Sequence, residues 1–321
     1  MFYSVIIPVY NRPEEVDELL DSLTRQHYKD FEVIVVEDGS TLPCKEIAEK
    51  YTDQLQISYY FKPNSGPGTS RNYGVARSQG DYMIILDSDC ILPEEYFDAV
   101  EKELQTSPCD AFGGGDRAHA SFTTIQKAIN YSMTSFLTTG GIRGGKKKLD
   151  KFYPRSFNFG IRRQVYETLG GFSAMRYGED IEFSIRLFKS HYTCRLFPDA
   201  WVYHKRRTTL KQFFHQVRHS GEARIHLYKL YPDTLKLVHL LPAFFTLGVV
   251  VLLLGSLVCI WALLPLLLFA GIVWIDSSLR NRSLKIGFCS IATSYTQLLG
   301  YGSGFWKAWW EQCILRKRHN F

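Results

Sequence analysis

Closely spaced cysteines are missing from this 321-residue chain. Its seven (Cys44, Cys90, Cys109, Cys194, Cys259, Cys289, Cys313) are odd in number and widely spaced, without a CxxC pair. That argues against a zinc site and a disulfide framework and fits a reducing compartment. Internal repeats and low-complexity linkers are absent too, so the length is one large domain or two ordinary ones. The GxxxxGK[ST] spacing of a phosphate-binding Walker loop does not occur. The opening stretch MFYSVIIPVYN has no basic region or cleavage site, and is expected to enter a strand directly rather than act as a signal peptide. A net charge of +6 is modest. Its basic clusters, at Lys146–Lys148, Lys205–Arg207, Arg280–Lys285 and Arg316–His319, lack the aromatic interleaving or finger spacing of a nucleic-acid binder. No nucleic acid is therefore expected as partner. Phosphates or anionic lipid headgroups suit such clusters better.

What the chain has in excess is one apolar run. From Leu237 to Ile275 the only acidic or basic side chain is His239. The run is about twice the ~20 residues of one spanning helix, which predicts a transmembrane hairpin over about 237–277 that turns between Cys259 and Pro265. A buried soluble hairpin would interrupt its apolarity with polar residues, and this run does not. Arg280, Arg282 and Lys285 follow it, as a cytoplasmic loop should. The next apolar stretch, about 286–310, carries Ser, Thr, Tyr, Gln and several Gly. A third span would leave Lys307 and Arg316–Arg318 outside, so a re-entrant or interfacial segment is expected, anchored by Trp306, Trp309 and Trp310.

Ahead of the membrane region, strand and helix patterns alternate. Val5–Val9, Phe31–Val36, Ile57–Phe61 and Met83–Leu86 read as strands. Pro13–Arg25, a short segment at Ile47 and Thr69–Ser78 read as the helices between them. Strands spaced by helices imply βαβ units, an α/β fold with a largely parallel sheet and helices on both faces. Further on, Asp110–Gly113, Ser156–Ile161 and Arg195–Tyr203 read as strands. Ile125–Phe136, Arg163–Leu169, Glu179–Ser190 and the basic-aromatic Leu210–Leu227 read as helices. Gly140–Lys148 reads as a loop.

Three predicted strands end in polar residues: Tyr10-Asn11, Glu37-Asp38 and Asp87-Ser88-Asp89. An open α/β sheet binds ligands at that edge. Asp87 and Asp89, two apart in an extended chain, point the same way and could share Mg²⁺ or Mn²⁺ against a diphosphate. Asp38 could accept from an NH of a base. The loop Gly66-Pro67-Gly68-Thr69-Ser70-Arg71 permits close backbone approach to a nucleotide, with Arg71 as bidentate donor. A solvated Asp-Ser-Asp turn capping a helix near Pro93 accounts for the carboxylates without any ligand.

The ordered stretches SVIIPVYNRPEEVDELLDSLTRQ, FEVIVVEDGS, GPGTSRNYGVARSQGDYMIILDSDC, NFGIRRQVYETLGGF and YGEDIEFSIRL resemble successive motifs of the inverting family-two glycosyltransferases with the GT-A fold. The resemblance covers roughly 2–207. It implies a GT-A domain, a Rossmann-like mostly parallel sheet over 1–230, followed by an α-helical membrane region over 231–321. It implies that Pro8, Tyr10, Asn11, Asp38, Gly68 and Arg71 hold the donor nucleotide and that Asp87 and Asp89 are the DxD pair binding ribose, metal and diphosphate. It further implies that Asp180 is the catalytic base, with Glu179, Asn158 and Gly160 lining the acceptor, and that His204 is a third metal ligand. Asp180 reads as the one unpaired carboxylate placed for proton abstraction, although a carboxylate at a helix start can also serve only as a cap. A lone His after a strand can likewise be purely structural.

The QxxRW motif of processive synthases is not matched, since Gln216-Val217-Arg218-His219-Ser220-Gly221 lacks the Trp. Single-sugar addition is the expectation, with Arg218 reaching the donor phosphates. The implied function is metal-dependent, inverting transfer of a sugar from UDP- or dTDP-sugar to a hydroxyl of a lipid-linked glycan, of undecaprenyl-diphosphate type, in cell-surface polysaccharide synthesis. The enzyme would sit in the cell inner membrane, multi-pass, with its catalytic domain cytoplasmic. A polyprenyl-phosphate sugar synthase shares the fold, but its phosphate nucleophile needs no base at Asp180. A nucleotidyltransferase would need a glycine-rich loop where Pro8-Val9-Tyr10-Asn11 stands. A non-catalytic membrane scaffold would not need every carboxylate retained.

Overall fold

The computed structural model describes residues 1–119, 121–140 and 153–316. The basic loop read at Lys146–Lys148 lies outside them. The chain divides into two compact units: one contains 1–119 and 153–205, the other 121–140 and 206–316. The boundary is thus not the expected 230/231. The second unit also takes in the helices around residue 130 and the whole of the basic-aromatic helix, because both pack on the last long helix of the chain.

The first unit runs β1 (Tyr3–Val9), α1 (Pro13–Thr24), β2 (Phe31–Asp38), α2 (Lys45–Glu49), β3 (Gln56–Lys62), α3 (Pro67–Val75), β4 (Tyr82–Leu86), β5 (Cys90–Ile91), α4 (Tyr96–Thr106) and β6 (Ala111–Arg117). The second unit interrupts it with α5 (Thr124–Thr134) and α6 (Phe136–Thr139). The first resumes with β7 (Asn158–Arg162), α7 (Arg163–Thr168), α8 (Glu179–Lys189) and β8 (Cys194–His204). Its eight strands form one sheet in the order β3-β2-β1-β4-β7-β6-β8-β5. β1, β2, β3 and β4 pair in parallel, as do β6 and β8, while β7 runs antiparallel to both β4 and β6. The sheet is therefore mixed, parallel on the half that carries the first three sequence motifs.

Both faces of the central strands are covered, which is why β1 and β2 are buried nearly throughout and carry continuous apolar runs, Val5–Ile7 and Val33–Val36, rather than alternating. Alternation decides only which core each residue joins. Val5 and Ile7 pack with Leu19, Leu20 and Leu23 of α1 and Phe97 of α4, and Ile6 packs with Val75 of α3 and Phe183 of α8. Pro13 starts α1 at a position whose N–H has no helical partner anyway. Each of its three buried leucines contributes about 1.5–3 kcal/mol. Gly74 lets α3 lie on the sheet, since a Cβ there would come within 2.7 Å of Ile6 Cγ2.

The second unit is helical: α5, α6, α9 (Leu210–Leu230), α10 (Leu237–Gly255), α11 (Leu264–Asn281) and α12 (Leu284–Trp309). α12 is its axis, packed by α9, α10, α11 and α5. Glycines allow backbone contact there: a Cβ on Gly304 would sit 2.0 Å from the Arg218 carbonyl, and one on Gly221 2.1 Å from that of Tyr301. The hydroxyls of Ser132 and Thr293, and of Ser277 and Ser290, pair within the seam, both at 2.6 Å. α12 is one unbroken helix with no chain reversal, which corrects the re-entrant expectation. The polar and small residues that weaken its hydropathy are the ones it buries against its neighbours. Trp306 is turned inward, its indole N–H donating to the Ala243 carbonyl at 2.9 Å, and of the three tryptophans only Trp310 is largely exposed.

α10 and the 260–281 segment are long and apolar enough to cross a membrane, by length and composition, and both are mostly uncovered by the rest of the chain. Leu257 and Val258, between them, are 82% and 93% exposed.

Candidate active site

The carboxyl ends of β1, β2 and β4 meet at one edge because the three strands are parallel neighbours. Pro8 lies half-buried in β1, and Tyr10 just beyond it is exposed. Asn11 has a φ of 53°, a left-handed conformation that asparagine tolerates. Its Oδ1 accepts from the backbone N–H groups of Thr41 at 2.8 Å and Leu42 at 3.0 Å, holding the turn after β2. Asp38 is buried and accepts from Ser65 N and Gly66 N, each at 2.9 Å, and from Lys62 Nζ. It therefore fixes the loop that opens α3. Gly68 does make a close approach, but to protein: a Cβ there would lie 2.9 Å from the Ser173 carbonyl and 3.3 Å from Glu179 Cγ.

The centre of this edge is Arg71. Its guanidinium is buried and donates to Asp87 Oδ1 at 2.9 Å and to Glu179 Oε1 at 2.7 Å. Burial would lower its pKa, but the two carboxylates outweigh that and raise it, so the charge is fixed. Burial is also the largest influence on Glu179 and raises its carboxyl above the ordinary value, with Arg71 opposing and Asp180 adding to it. Arg71 is thus committed to a bridge between the DxD segment and the start of α8. The family resemblance implies a different role for it, holding the donor nucleotide.

The Asp87–Asp89 segment is a turn, closed by Cys90 N donating to the Asp87 carbonyl at 3.1 Å. The expected extended geometry does not hold, and the two carboxylates diverge. Asp87 goes to Arg71. Asp89 is buried beside His204, because β5 and β8 pair Cys90 with His204. Among the described residues, those close enough to share a cation are Asp89, Cys90 and His204, whose ligand atoms lie within 4.8 Å of one another. Asp87 is not among them.

Two observations test the fit of a divalent cation. Asp89 Oδ1 is buried without a hydrogen bond, 3.1 Å from His204 Nε2, and His204 Nδ1 is buried without one, 4.0 Å from Asp116 Oδ2. Asp89 Oδ1 thus meets the ring at Nε2, with the unpartnered Nδ1 turned toward Asp116, and a carboxylate oxygen beside an imidazole is a donor set for Mn²⁺ or Mg²⁺. Cys90 does not fit: burial pushes its thiol well above the ordinary range, and its Sγ contacts the Phe157 carbonyl at 3.3 Å. Burial alone would raise the Asp89 carboxyl, but His204 and Arg12, which pairs with Asp89 Oδ2, hold it well below the usual range.

Asp180 opens α8. Its Oδ1 accepts from Ile181 N at 2.8 Å and its Oδ2 lies 3.2 Å from Arg155 Nη1. It is therefore paired, which corrects the reading of an unpaired carboxylate. Asn158 and Gly160 are corrections too. The Asn158 side chain is fully buried, its Oδ1 accepting from Tyr96 OH at 2.7 Å and its Nδ2 donating to the Ala200 carbonyl at 2.8 Å. Gly160 faces Phe112, where a Cβ would come within 2.1 Å of the ring. Both are buried and brace β7 inside the sheet. Arg218 belongs to the helical unit and faces Glu222, its Nε 3.5 Å from Oε1.

Three residues carry no expectation from sequence: Arg12, Lys62 and Arg155. Each is the charged partner of a residue that was singled out. Two carried a usable signal, since Arg12 directly follows Tyr10-Asn11 and Arg155 lies three residues before Asn158.

The mixed α/β sheet thus gathers carboxylates, a buried arginine and a histidine at its ligand-binding edge. The glycosyl transferase family 2 model matches residues 4–170, and the chain belongs to that family. A second model, glycosyl transferase family group 2, matches residues 149–275. A Bacillus subtilis protein described as the probable glycosyltransferase YdaM is 31% identical over 225 residues, covering 66% of this chain and 53% of its own. The Staphylococcus aureus poly(ribitol-phosphate) beta-N-acetylglucosaminyltransferase TarS is 37% identical over 99 residues, which are 30% of this chain and 17% of TarS. The chain thus spans about half or less of these relatives.

Among solved structures, the Pyrobaculum calidifontis mannosyltransferase PcManGT, in complex with GDP-Man and Mn²⁺, superposes with a TM-score of 0.68 at 17% identity, covering 97% of this chain and 87% of that one. TarS 1-349 in complex with UDP-GlcNAc gives 0.52 at 18%, covering 100% and 94%. At such identities the likeness is one of fold, and the fold is GT-A.

Proposed function

We propose that this glycosyltransferase moves one sugar, with inversion, from a nucleoside-diphosphate sugar to a hydroxyl of a lipid-linked glycan. The observation that carries the reading is the Arg71 bridge. One buried guanidinium ties Asp87, on the donor side, to Glu179, next to Asp180 on the acceptor side. Asp180 takes the acceptor hydroxyl's proton in an in-line displacement at the anomeric carbon, and Glu179 shapes the acceptor's seat. The leaving diphosphate needs its charge neutralised rather than a proton. Asp89 and His204 would hold a divalent cation, Mn²⁺ or Mg²⁺, that supplies this as a Lewis acid. Asp87 is left for the donor ribose, and Asn11 and Asp38 order the two loops flanking the nucleotide.

UDP or dTDP is the favoured carrier. UDP-GlcNAc in the TarS complex supports it, and GDP-Man with Mn²⁺ in the PcManGT complex supports both the metal and a test of GDP-sugars. The two uncovered apolar helices support a membrane-embedded enzyme, multi-pass with its catalytic unit cytoplasmic, that meets an undecaprenyl-diphosphate-linked acceptor within the bilayer.

The test is a donor screen. Detergent-purified protein with Mn²⁺ and a panel of UDP-, dTDP- and GDP-sugars is assayed for released nucleoside diphosphate, alongside Asp89→Ala. Release from one donor, lost in the variant, is expected. With a lipid-linked glycan added, the product's anomeric coupling by NMR is expected to show inversion. Silence on every donor, with no nucleotide binding by calorimetry, would overturn the proposal.

A further inference from the structure

The residue that answers Asp89 is a cation supplied by the chain itself. Asp89 is a buried carboxylate whose two oxygens have different surroundings: Oδ2 pairs with Arg12 Nη1, and Oδ1 is without a hydrogen bond opposite His204. Arg12 stands in the N-cap position of α1, three residues after β1 ends at Val9, and its side chain makes no cap to the helix. It reaches across to Asp89, retaining 24% exposure against 8% for its partner. A buried carboxylate with no positive charge beside it is costly, and Arg12 supplies that charge.

We infer that Arg12 is a tethered counter-ion that competes with the divalent cation for Asp89, so that the metal binds well only when a nucleoside diphosphate is there to take up the arginine's charge. The inference rests on the reading that Asp89 and His204 hold a cation. A divalent ion on Asp89 Oδ1 and His204 would lie beside a guanidinium already neutralising the same carboxylate, and like charges that close repel. A diphosphate would remove the conflict: its anionic oxygens would accept from Arg12, and their charge would favour a divalent cation held by Asp89 and His204. Metal and donor then raise each other's affinity by the same factor, as linkage requires. Without Arg12 the metal site would be permanently open, and the two ligands would bind nearly independently.

The test follows free Mn²⁺ by electron paramagnetic resonance during titration into the full-length protein in detergent, alone and with saturating UDP or GDP. Arg12→Gln is expected to bind Mn²⁺ without nucleotide about tenfold more tightly than wild type, within the usual range of coupling between sites. Added nucleotide is expected to tighten Mn²⁺ binding in wild type and much less in Arg12→Gln. Arg12→Lys, which keeps the charge, is expected to behave as wild type, and Asp89→Asn to abolish binding in every background. Asp89-dependent binding that is equal in wild type and Arg12→Gln would overturn the competition while leaving the metal site intact. Arg12→Lys behaving as Arg12→Gln would overturn the role of charge. Absence of Asp89-dependent Mn²⁺ binding under all conditions would overturn the metal reading and this inference with it.

Discussion

Arg155 Nη1 lies 3.2 Å from Asp180 Oδ2, so the carboxylate assigned to proton abstraction is held on one side by an arginine and on the other by the Ile181 amide. Orientation is what such a pairing provides, since a general base works only within hydrogen-bond reach of the proton it removes. Asp180→Asn keeps the shape and loses the base. It is expected to lower kcat by about 10²–10⁴ with nucleotide binding unchanged by calorimetry. Arg155→Ala frees the carboxylate without removing it, and a smaller loss, about tenfold, is expected. Wild-type turnover in Asp180→Asn would take proton abstraction away from this residue.

Arg71 is the second test. Replacing it by Met leaves the buried Glu179 carboxylate and the half-buried Asp87 carboxylate without the positive charge they share. Breaking a buried pair by removing one partner costs about 3–5 kcal/mol. For a unit of this size that is a fall in melting temperature of roughly 6–20 °C, measurable by differential scanning fluorimetry. Arg71→Lys, a point charge without the fork, should recover part of the stability and little of the activity.

Asn158 and Gly160 separate the two roles that the sequence could not. Asn158→Ala leaves the Tyr96 hydroxyl and the Ala200 carbonyl without their partner in the core, at a cost of about 1–3 kcal/mol. Gly160→Ala drives a methyl into Phe112, a strain of about 1–3 kcal/mol. Both are expected to lower the melting temperature while leaving acceptor KM, measured on the folded fraction, as in wild type. A raised acceptor KM with unchanged stability would return them to the acceptor site.

These two residues also show where sequence reading stops. The continuous apolar runs of β1, β2 and β4 located the strands, and the polar residues at their ends located the edge that parallel neighbours share. Which way a polar side chain faces at that edge depends on partners far along the chain. Arg71 and Glu179 are 108 positions apart, and Arg12 and Asp89 are 77. The turn at Asp87–Cys90 separated two carboxylates that an extended chain would have aligned. In the helical unit, hydropathy found α10 and α11. It misjudged α12, whose serines, threonines and glycines are interior contacts of a bundle rather than signs of a broken segment.

Glu222 gives the pH dependence. Burial would raise its carboxyl, but Lys307 and His219 prevail and hold it below the ordinary value of 4.5. Well above that value the carboxyl is ionised in folded and unfolded chains alike, and the pairing contributes in full. As the pH falls below it, the unfolded chain takes up the proton first, so stability is lost until the folded carboxyl is protonated too. Between pH 6 and pH 3.5 the melting temperature of wild type should therefore fall further than that of Glu222→Gln. Parallel curves would show that the Lys307 contact, 3.1 Å long, contributes nothing.

The membrane hairpin carries its own reporter. Cys259 lies between α10 and α11 and is exposed, whereas Cys44, Cys90 and Cys109 are buried. If both helices cross the bilayer, their outer ends lie on one side and the turn on the other, so Cys259 faces away from the side of the catalytic unit. A membrane-impermeant maleimide added to intact cells is expected to label the protein once, and Cys259→Ser to abolish that labelling. In inverted vesicles the same reagent should miss Cys259. Labelling of Cys259 from the cytoplasmic face alone would mean that the apolar pair lies on the membrane or within a protein assembly instead of crossing, because a two-helix span cannot leave its turn on the side it started from.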